Sequence, residues 1–343
     1  MEADTLPQRD VVTGMRGRID EPDVSPPAAR TPDRPSVPPY GTPSAGPVLA
    51  VDIGGTKLEA GVVDDQGRIV LRRRTTTPTT GDPELVFGAL STILGEVLAN
   101  SPVLPVACGV GCGGPMAPGG ETVSPLNIPG WRGFPLRSAL ADLVGLPVAV
   151  DNDAKALALG EGWTGAARDS ADYLAMVVST GVGGGIVLDG RLLDGATGNA
   201  GHIGHVVVEP DGRPCACGGR GCLEAEVSGT AVAAITGRPP AEADEDMRKR
   251  CGTLVGRAVA SVANLLDLQL AVVAGSVALG FGAAFFDAAQ EEVGLRCGLE
   301  FARPTSIRPG GLGADGPLVG AAAVVRRRGR VVAGGAVMED GGR

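Results

Sequence analysis

Aromatic residues are scarce in this chain: Trp 2, Tyr 2 and Phe 6 make up 3% of its 343 residues. Stacking platforms for nucleic-acid bases therefore have little to be built from. Positive charge is short as well. Lys and Arg number 30 against 39 Asp and Glu, a net charge of -9 with a pI near 4.9. That sign argues against a nucleic-acid or anionic-membrane partner. The opening residues, MEADTLPQRD, lack a basic start followed by an apolar core, so they do not read as a secretory signal. The most apolar run, LAVVAGSVALGFGAAFF at 270–286, is interrupted by glycine and is shorter than a membrane span. It fits a buried strand, a Gly-Ser turn and a helix start. A soluble, cytosolic protein is expected, and in that reducing compartment clustered cysteines suggest a metal before a disulfide. Histidine is as rare as Trp and Tyr, with 2 in the chain.

What is present is an α/β pattern. A chain 43% hydrophobic with Gly 55 is long enough for two ordinary domains, with frequent turns. Residues 1–46 are rich in Pro, Asp, Arg and Ser without apolar periodicity, and are expected to be a disordered tail. Order is expected from PVLAVDIGGTKLEAGVVDDQGRIVLRRR, read as three strands with turns at Gly54-Gly55 and Asp65-Gln66-Gly67. A helix is expected over 83–100, with Asp82 as N-cap and Leu85, Ala89, Leu90, Ile93, Leu94 and Val97 as its buried stripe. PVACGVG is a further strand, PLRSALADLVG a helix ended by Gly145, and PVAVDN a strand running into a helix over 153–164. YLAMVVSTGVGGGIVLDGRLL then restarts the strand–turn–strand pattern. Helices are expected near 243–266 and 276–297, with the strand LAVVAG between them, and a last helix over 316–328. The expected division is a small domain over 47–150, a larger one over 151–315 and a flexible end at 329–343.

Each half opens on a glycine turn at a strand end. DIGGTK gathers Asp52, Gly54, Gly55, Thr56 and Lys57; STGVGGG gathers Ser179, Thr180, Gly181 and Gly183. Glycines let backbone N–H groups approach phosphate oxygens, and hydroxyls add donors. Either turn alone is also a plain hairpin turn; their repetition favours a phosphate-binding pair across a cleft. Neither fits the Walker P-loop spacing. GVGCGG at 109–114 fits GxGxxG but runs into PMAPGGET, which cannot start the helix a dinucleotide fold needs.

GNAGHIGHVVVEPDGRPCACGGRGCLE, from Gly198 to Glu224, holds both histidines and three of the 7 cysteines. Cys215, Cys217 and Cys222 form C-x-C-x4-C, and His205 lies ten residues upstream. Three thiolates and an imidazole make a closed tetrahedral zinc site; small-residue packing without a metal is the alternative. A closed site leaves no position for a reacting water, so its expected role is to pin a loop and hold His202 and Glu224. Cys108, Cys112, Cys251 and Cys297 are scattered and read as core.

VDIGGTK, VDNDAKALALGE, STGVGGGIV and GH followed by CACGGRGCLE together resemble the ROK family of sugar kinases and related repressors over about residues 47–328. The resemblance implies the actin-like ATPase/hexokinase fold, with two α/β domains around a central cleft and the C-terminal helix returning to the first. It implies phosphorylation of a sugar, usually at the 6-hydroxyl, with ATP and Mg2+, and a structural Zn2+. Asp153 would be the general base; read by itself it is also a helix N-cap. Asn127, Asn152, Asp153, His202, His205 and Glu224 would bind sugar, His205 also ligating zinc. AVVAGSVA places Gly275 on the adenosine side. A small-molecule sugar is the expected partner, with neither nucleic acid nor membrane, and a homodimer or homotetramer the expected assembly.

One position departs from the glucose-type pattern GE-x-GH: His202 stands where a sugar-binding Glu is expected. Bacterial N-acetylmannosamine kinases resemble this AGHIGH form, which favours an N-acetylhexosamine over glucose unless His202 points to solvent. A ROK-type transcriptional repressor needs an N-terminal DNA-binding helix-turn-helix, for which the Pro-rich tail is short and insufficiently basic. A non-catalytic sugar sensor is the third reading, disfavoured by the presence of Asp153.

Overall fold

The run VLAVDI forms β1 (Val48–Ile53), buried along its whole length in this computed structural model. A strand with helices on both faces has no wet side, which is why its residues do not alternate. β1 pairs antiparallel with β2 (Lys57–Val63), and β2 pairs with β3 (Ile69–Thr76). On its other edge β1 pairs in parallel with β4 (Ala107–Cys112), which pairs in parallel with β5 (Val148–Asn152). The order is β3-β2-β1-β4-β5. The described residues are 46–79 and 81–327, with the backbone of 332–333 and 336–337, and they belong to one compact unit. The expectations for the tail and for 328–343 lie outside them, apart from a short hairpin of β11 (Val332–Ala333) and β12 (Ala336–Val337).

A second sheet repeats the first. β6 (Tyr173–Val178) pairs antiparallel with β7 (Val182–Leu188), and β7 with β8 (Arg191–Leu192). β6 pairs in parallel with β9 (Leu270–Ala274), and β9 with β10 (Ser306–Pro309). The order β10-β9-β6-β7-β8 has the same connectivity as the first sheet, strand for strand.

Helix α1 (Pro83–Asn100) follows β3, with the Asp82 side chain accepting from the Glu84 N–H as its cap. Its buried stripe is Val86, Leu90, Ile93, Leu94 and Val97. Leu85, expected inside, is 56% exposed, because one residue is 100° of helix rotation and Val86 continues the four-residue spacing to Leu90. α2 (Leu136–Val144) ends where Gly145 takes φ 65°, as its sequence predicts. α3 (Asp153–Trp163) leaves the end of β5.

In the second half, α4 (Leu223–Val227) and α5 (Gly229–Thr236) precede α6 (Glu245–Leu266). The helix expected over 276–297 is two, α7 (Ser276–Phe281) and α8 (Ala283–Arg296), split at Gly282. Gly282 adopts φ 60° and ψ -143°, a backbone region closed to other residues, so the apolar periodicity runs on while the helix does not. α9 (Gly316–Val325) is the last helix, three residues shorter than the expected 316–328.

The two halves exchange helices. Ala156, Ala158 and Leu159 of α3 share a core with Tyr173, Ala175 and Val187 of the second sheet. Leu318, Ala321 and Ala322 of α9 pack on Val48, Ala50 and Val63 of the first. α3 and α9 meet where side chains are missing: a Cβ on Gly160 would come within 2.9 Å of the Gly320 Cα, and one on Gly320 within 2.7 Å of the Ala156 carbonyl oxygen.

Candidate active site and metal centre

β1, β4 and β5 stop in register at Ile53, Cys112 and Asn152, so the residues just past them gather at one sheet end. Asn152 is the N-cap of α3, its Oδ1 accepting from the N–H groups of Ala154 at 3.0 Å and Lys155 at 3.4 Å. Capping therefore falls to Asn152, and Asp153 occupies the first helical turn. Asp153 is exposed, yet the neighbouring strand ends partly desolvate its carboxyl. That desolvation holds it above the ordinary range, against the pull of the backbone N–H groups of its own helix end and of His202. A raised value suits a carboxylate that must accept a proton near neutral pH.

Asp52 ends the same sheet, and burial followed by the Asp153 charge pushes its carboxyl up to about 7. Lys57 approaches Asp52 at 3.8 Å but is held at 2.6 Å by Glu59, a fully buried carboxylate that Arg72 and Arg74 also pair with at 3.0 Å each. The turn needs Gly55, because a Cβ there would lie 2.3 Å from the Cβ of Asn127. Asn127 and the first glycine turn are thus neighbours. The other turn residue, Thr56, is exposed, and the Gly54 carbonyl accepts from the Thr77 hydroxyl at 2.6 Å.

The second turn, Ser179–Gly181, has its own neighbours. The Ser179 and Ser276 hydroxyls are 3.0 Å apart. The Ser179 carbonyl accepts from the Gly229 N–H at 2.7 Å, and the Thr180 carbonyl from the Thr230 hydroxyl at 3.0 Å. Gly275 sits at φ 101°, where a Cβ would come within 2.3 Å of the Val178 carbonyl oxygen. Gly183 packs on Ala154, to which a Cβ would come within 2.8 Å. Ser276, Gly229 and Thr230 were not singled out from sequence; only the fold brings them to this turn.

The Cys/His cluster forms as spaced. One ligand atom from each of His205, Cys215, Cys217 and Cys222 lies within 4.8 Å of all the others. Cys215 Sγ is 3.7 Å from His205 Nδ1, and Cys217 Sγ is 3.7 Å from Cys222 Sγ. Sulfurs about 3.8 Å apart are what a tetrahedron with Zn–S of about 2.3 Å requires. Soft donors with one imidazole fit a closed zinc centre, and among the described residues no other such cluster occurs. The remaining four cysteines are buried and apart.

The cluster reaches the turns through two residues. Glu224 lies just past Cys222, and its Oε2 accepts from the Val182 N–H at 2.8 Å. His202 stands 6.0 Å from His205, ring centre to ring centre. Burial, then the charge of His205, hold the His202 imidazole below its usual range, while Asp153 and Glu224 pull the other way. His202, Asp153 and Asp52 therefore form one electrostatic neighbourhood, with Asn152 between the sheet and the helix.

Two halves with one connectivity, exchanged helices and glycine turns at the openings of both sheets define the actin-like ATPase/hexokinase fold. A ROK hexokinase from Thermus thermophilus is 33% identical, with a TM-score of 0.69 over 81% of this chain and 97% of that one. A ROK glucokinase from Streptomyces griseus, solved with glucose and AMPPNP, is 31% identical, with a TM-score of 0.69 over 81% and 98%. An N-acetylmannosamine kinase of Citrobacter koseri is 38% identical over 250 residues, 68% of this chain and 84% of the relative. The ROK family model matches residues 48–328. The chain belongs to the ROK family.

Proposed function

We propose that this chain is an ATP-dependent sugar kinase that transfers the terminal phosphoryl group of ATP to the 6-hydroxyl of an N-acetylhexosamine, with N-acetylmannosamine before glucose. The observation that carries this reading is Asp153: a desolvated carboxylate at the head of α3, beside Asp52 and His202. Phosphoryl transfer depends mostly on positioning and charge neutralisation. Asp153 takes the hydroxyl proton as the sugar oxygen attacks. Asn152, Asn127, His202, His205 and Glu224 hold the sugar. Asn152 does so through its Nδ2, since its Oδ1 caps the helix. The turns at Gly54–Lys57 and Ser179–Gly183 would donate backbone N–H groups to the phosphates, Gly275 would lie on the adenosine side, and Asp52 would reach, through water, a Mg2+ that neutralises phosphate charge. His205, Cys215, Cys217 and Cys222 would hold a structural Zn2+, whose contribution would be to fix the loop bearing His202 and Glu224.

The sugar preference rests on His202. A carboxylate accepts from two hydroxyls at once, whereas a neutral imidazole has one donor and one acceptor. An N-acetyl carbonyl needs a donor. The relatives at 34–38% identity over 68% of this chain are N-acetylmannosamine kinases. Coupled ATP-consumption assays on N-acetylmannosamine and glucose test this. The expected kcat/KM is at least as high for N-acetylmannosamine, and His202→Glu shifts the ratio toward glucose. Strong glucose preference in wild type, unmoved by the substitution, would remove His202 from specificity.

A further inference from the structure

The loop between β8 and His202 is held by a group of four charges, two buried (Asp151 and Lys155) and two half-buried (Asp194 and Arg327), that the reading above does not use. Lys155, 2% exposed, lies 2.9 Å from Asp151 Oδ1 and 2.9 Å from Asp194 Oδ1, and its third contact is the Gly198 carbonyl at 2.9 Å. Arg327, just beyond α9, donates to Asp151 Oδ2 at 2.9 Å, to the Leu192 carbonyl at 3.3 Å, and to the second oxygen of Asp194. Two cations and two carboxylates share one site, each carboxylate bridged by both cations.

The placement gives the group its meaning. Asp151 directly precedes the Asn152-Asp153 pair, and its Oδ1 accepts from the Asn152 N–H at 2.8 Å. Lys155 follows the pair by two residues. Asp194 and Gly198 belong to the segment that delivers His202. That segment has glycines at φ 70°, 86° and 101° (Gly195, Gly198 and Gly201), so its backbone has no steric preference of its own to hold it. Its fixed points are the contacts to Lys155 and Arg327, bonds from the Leu193 N–H to the Ile186 carbonyl at 2.8 Å and from the Ala200 N–H to the Asp194 carbonyl at 2.9 Å, Asn199 Nδ2 near the Met116 carbonyl at 3.4 Å, and Gly201, where a Cβ would come within 2.5 Å of the Gly184 carbonyl oxygen. The contacts around Ser179 and Thr180 involve none of the four charges.

We propose that Lys155 and Arg327, by bridging Asp151 and Asp194, are positioning residues that register the His202 loop against the Asn152-Asp153 pair, so that they set sugar binding and leave nucleotide binding alone. Burial by itself would raise the Asp194 carboxyl. Hydrogen bonds from Arg327 and Lys155 overcome it and hold the group below its ordinary range, as expected of a carboxylate clamped between two cations. A lysine this buried also has to be matched by carboxylates to stay charged.

This inference rests on the assignment of sugar to His202, and the test separates the two. Asp194→Asn, a substitution at the most accessible of the four, keeps the shape and removes one charge. KM for N-acetylmannosamine should rise about tenfold or more while KM for ATP stays within twofold. Backbone amides of 193–201 should exchange faster with deuterium. Arg327→Lys should fall between wild type and Arg327→Gln in sugar KM, because a lysine still reaches one carboxylate. A variant with a lowered melting temperature but unchanged sugar KM overturns the proposal, and so does an equal rise in both KM values. If wild type phosphorylates no sugar, the functional assignment fails first; faster amide exchange then still reports the clamp, and unchanged exchange sinks it.

Discussion

The two sheets share a connectivity and differ in what hangs from it. In the first half β3 is an eight-residue strand, Ile69–Thr76, and its Arg72 and Arg74 close over the buried Glu59. In the second half the matching strand β8 is two residues long, Arg191–Leu192. The chain leaves the sheet there and does not return until β9 at Leu270. That excursion holds the Cys/His cluster, His202, Glu224 and the loop bearing Asp194. The repeated scaffold thus carries a glycine turn after the first strand of each half, while one half alone carries a long insertion, to which sugar binding is assigned. On the proposed reading, catalysis falls to the scaffold, at the β5–α3 junction, and selectivity to the insertion.

Asp153→Asn breaks the scaffold side and has the largest expected effect. Loss of a general base costs about 100- to 10,000-fold in rate. The variant should keep its melting temperature and its sugar affinity, since Asn152 caps the helix. Steady-state kcat within threefold of wild type would take Asp153 out of the reaction.

Cys217→Ser breaks the insertion side. Wild type prepared without chelator should carry about one zinc per chain by metal analysis, in the closed four-ligand geometry. The substitution should release it and weaken sugar binding about 10- to 100-fold, the range typical when the support of a metal-held group is removed. KM for ATP should change little. Full sugar affinity in the metal-free variant would show that ion pairs from α6 suffice to hold the loop: Arg250 with Glu226, and Arg257 with Glu209.

The elements that sequence alone defines are those with local causes. The strand VLAVDI, the cap at Asp82, the stop at Gly145 and the Cys/His spacing each depend on neighbours a few residues away. Leu85 and Val86 show the limit: adjacent apolar residues look alike until the sheet selects one. Gly282 was invisible because glycine is tolerated in a helix and its φ and ψ are not written in the pattern. β10 was missed as a four-residue edge strand with two exposed positions. Lys155 is the clearest case. A lysine in a helix reads as a solvent contact, and only the fold surrounds it with Asp151, Asp194 and the Gly198 carbonyl. The same holds for Ser276, which meets Ser179 across 97 residues of sequence.

Asp52 and Asp194 carry the comparison into pH. Burial holds Asp52 raised to about 7, so its native form favours the proton. Its contribution to stability is complete below the unfolded value near 4 and is lost as pH rises through about 7. Asp194 is lowered; its contribution is present above the unfolded value and is lost as pH falls through its native one. Between pH 5 and pH 8 the ligand-free protein should therefore lose on the order of 2–3 kcal/mol through Asp52. Urea unfolding of Asp52→Asn should show a flatter profile over that interval. An identical slope in variant and wild type would place the titration elsewhere.

The smallest expected effect sharpens the contrast between equivalent strand ends. β4 and β9 are counterparts, and each is followed by glycine. After β4, Gly114 lies near Asn152, 3.5 Å from its Nδ2 to a Cβ built on the glycine, on the side assigned to sugar. After β9, Gly275 leads into Ser276, whose hydroxyl meets Ser179, on the side assigned to nucleotide. Ser276 is exposed, so its hydroxyl competes with water and the bond is worth about 0.5–1.5 kcal/mol. Ser276→Ala should raise KM for ATP about two- to tenfold, leave KM for sugar unchanged and leave the melting temperature within about one degree. A change in sugar KM instead would mean that the two ends are not divided between the substrates, and that the second turn reports on the sugar through Glu224 and Val182.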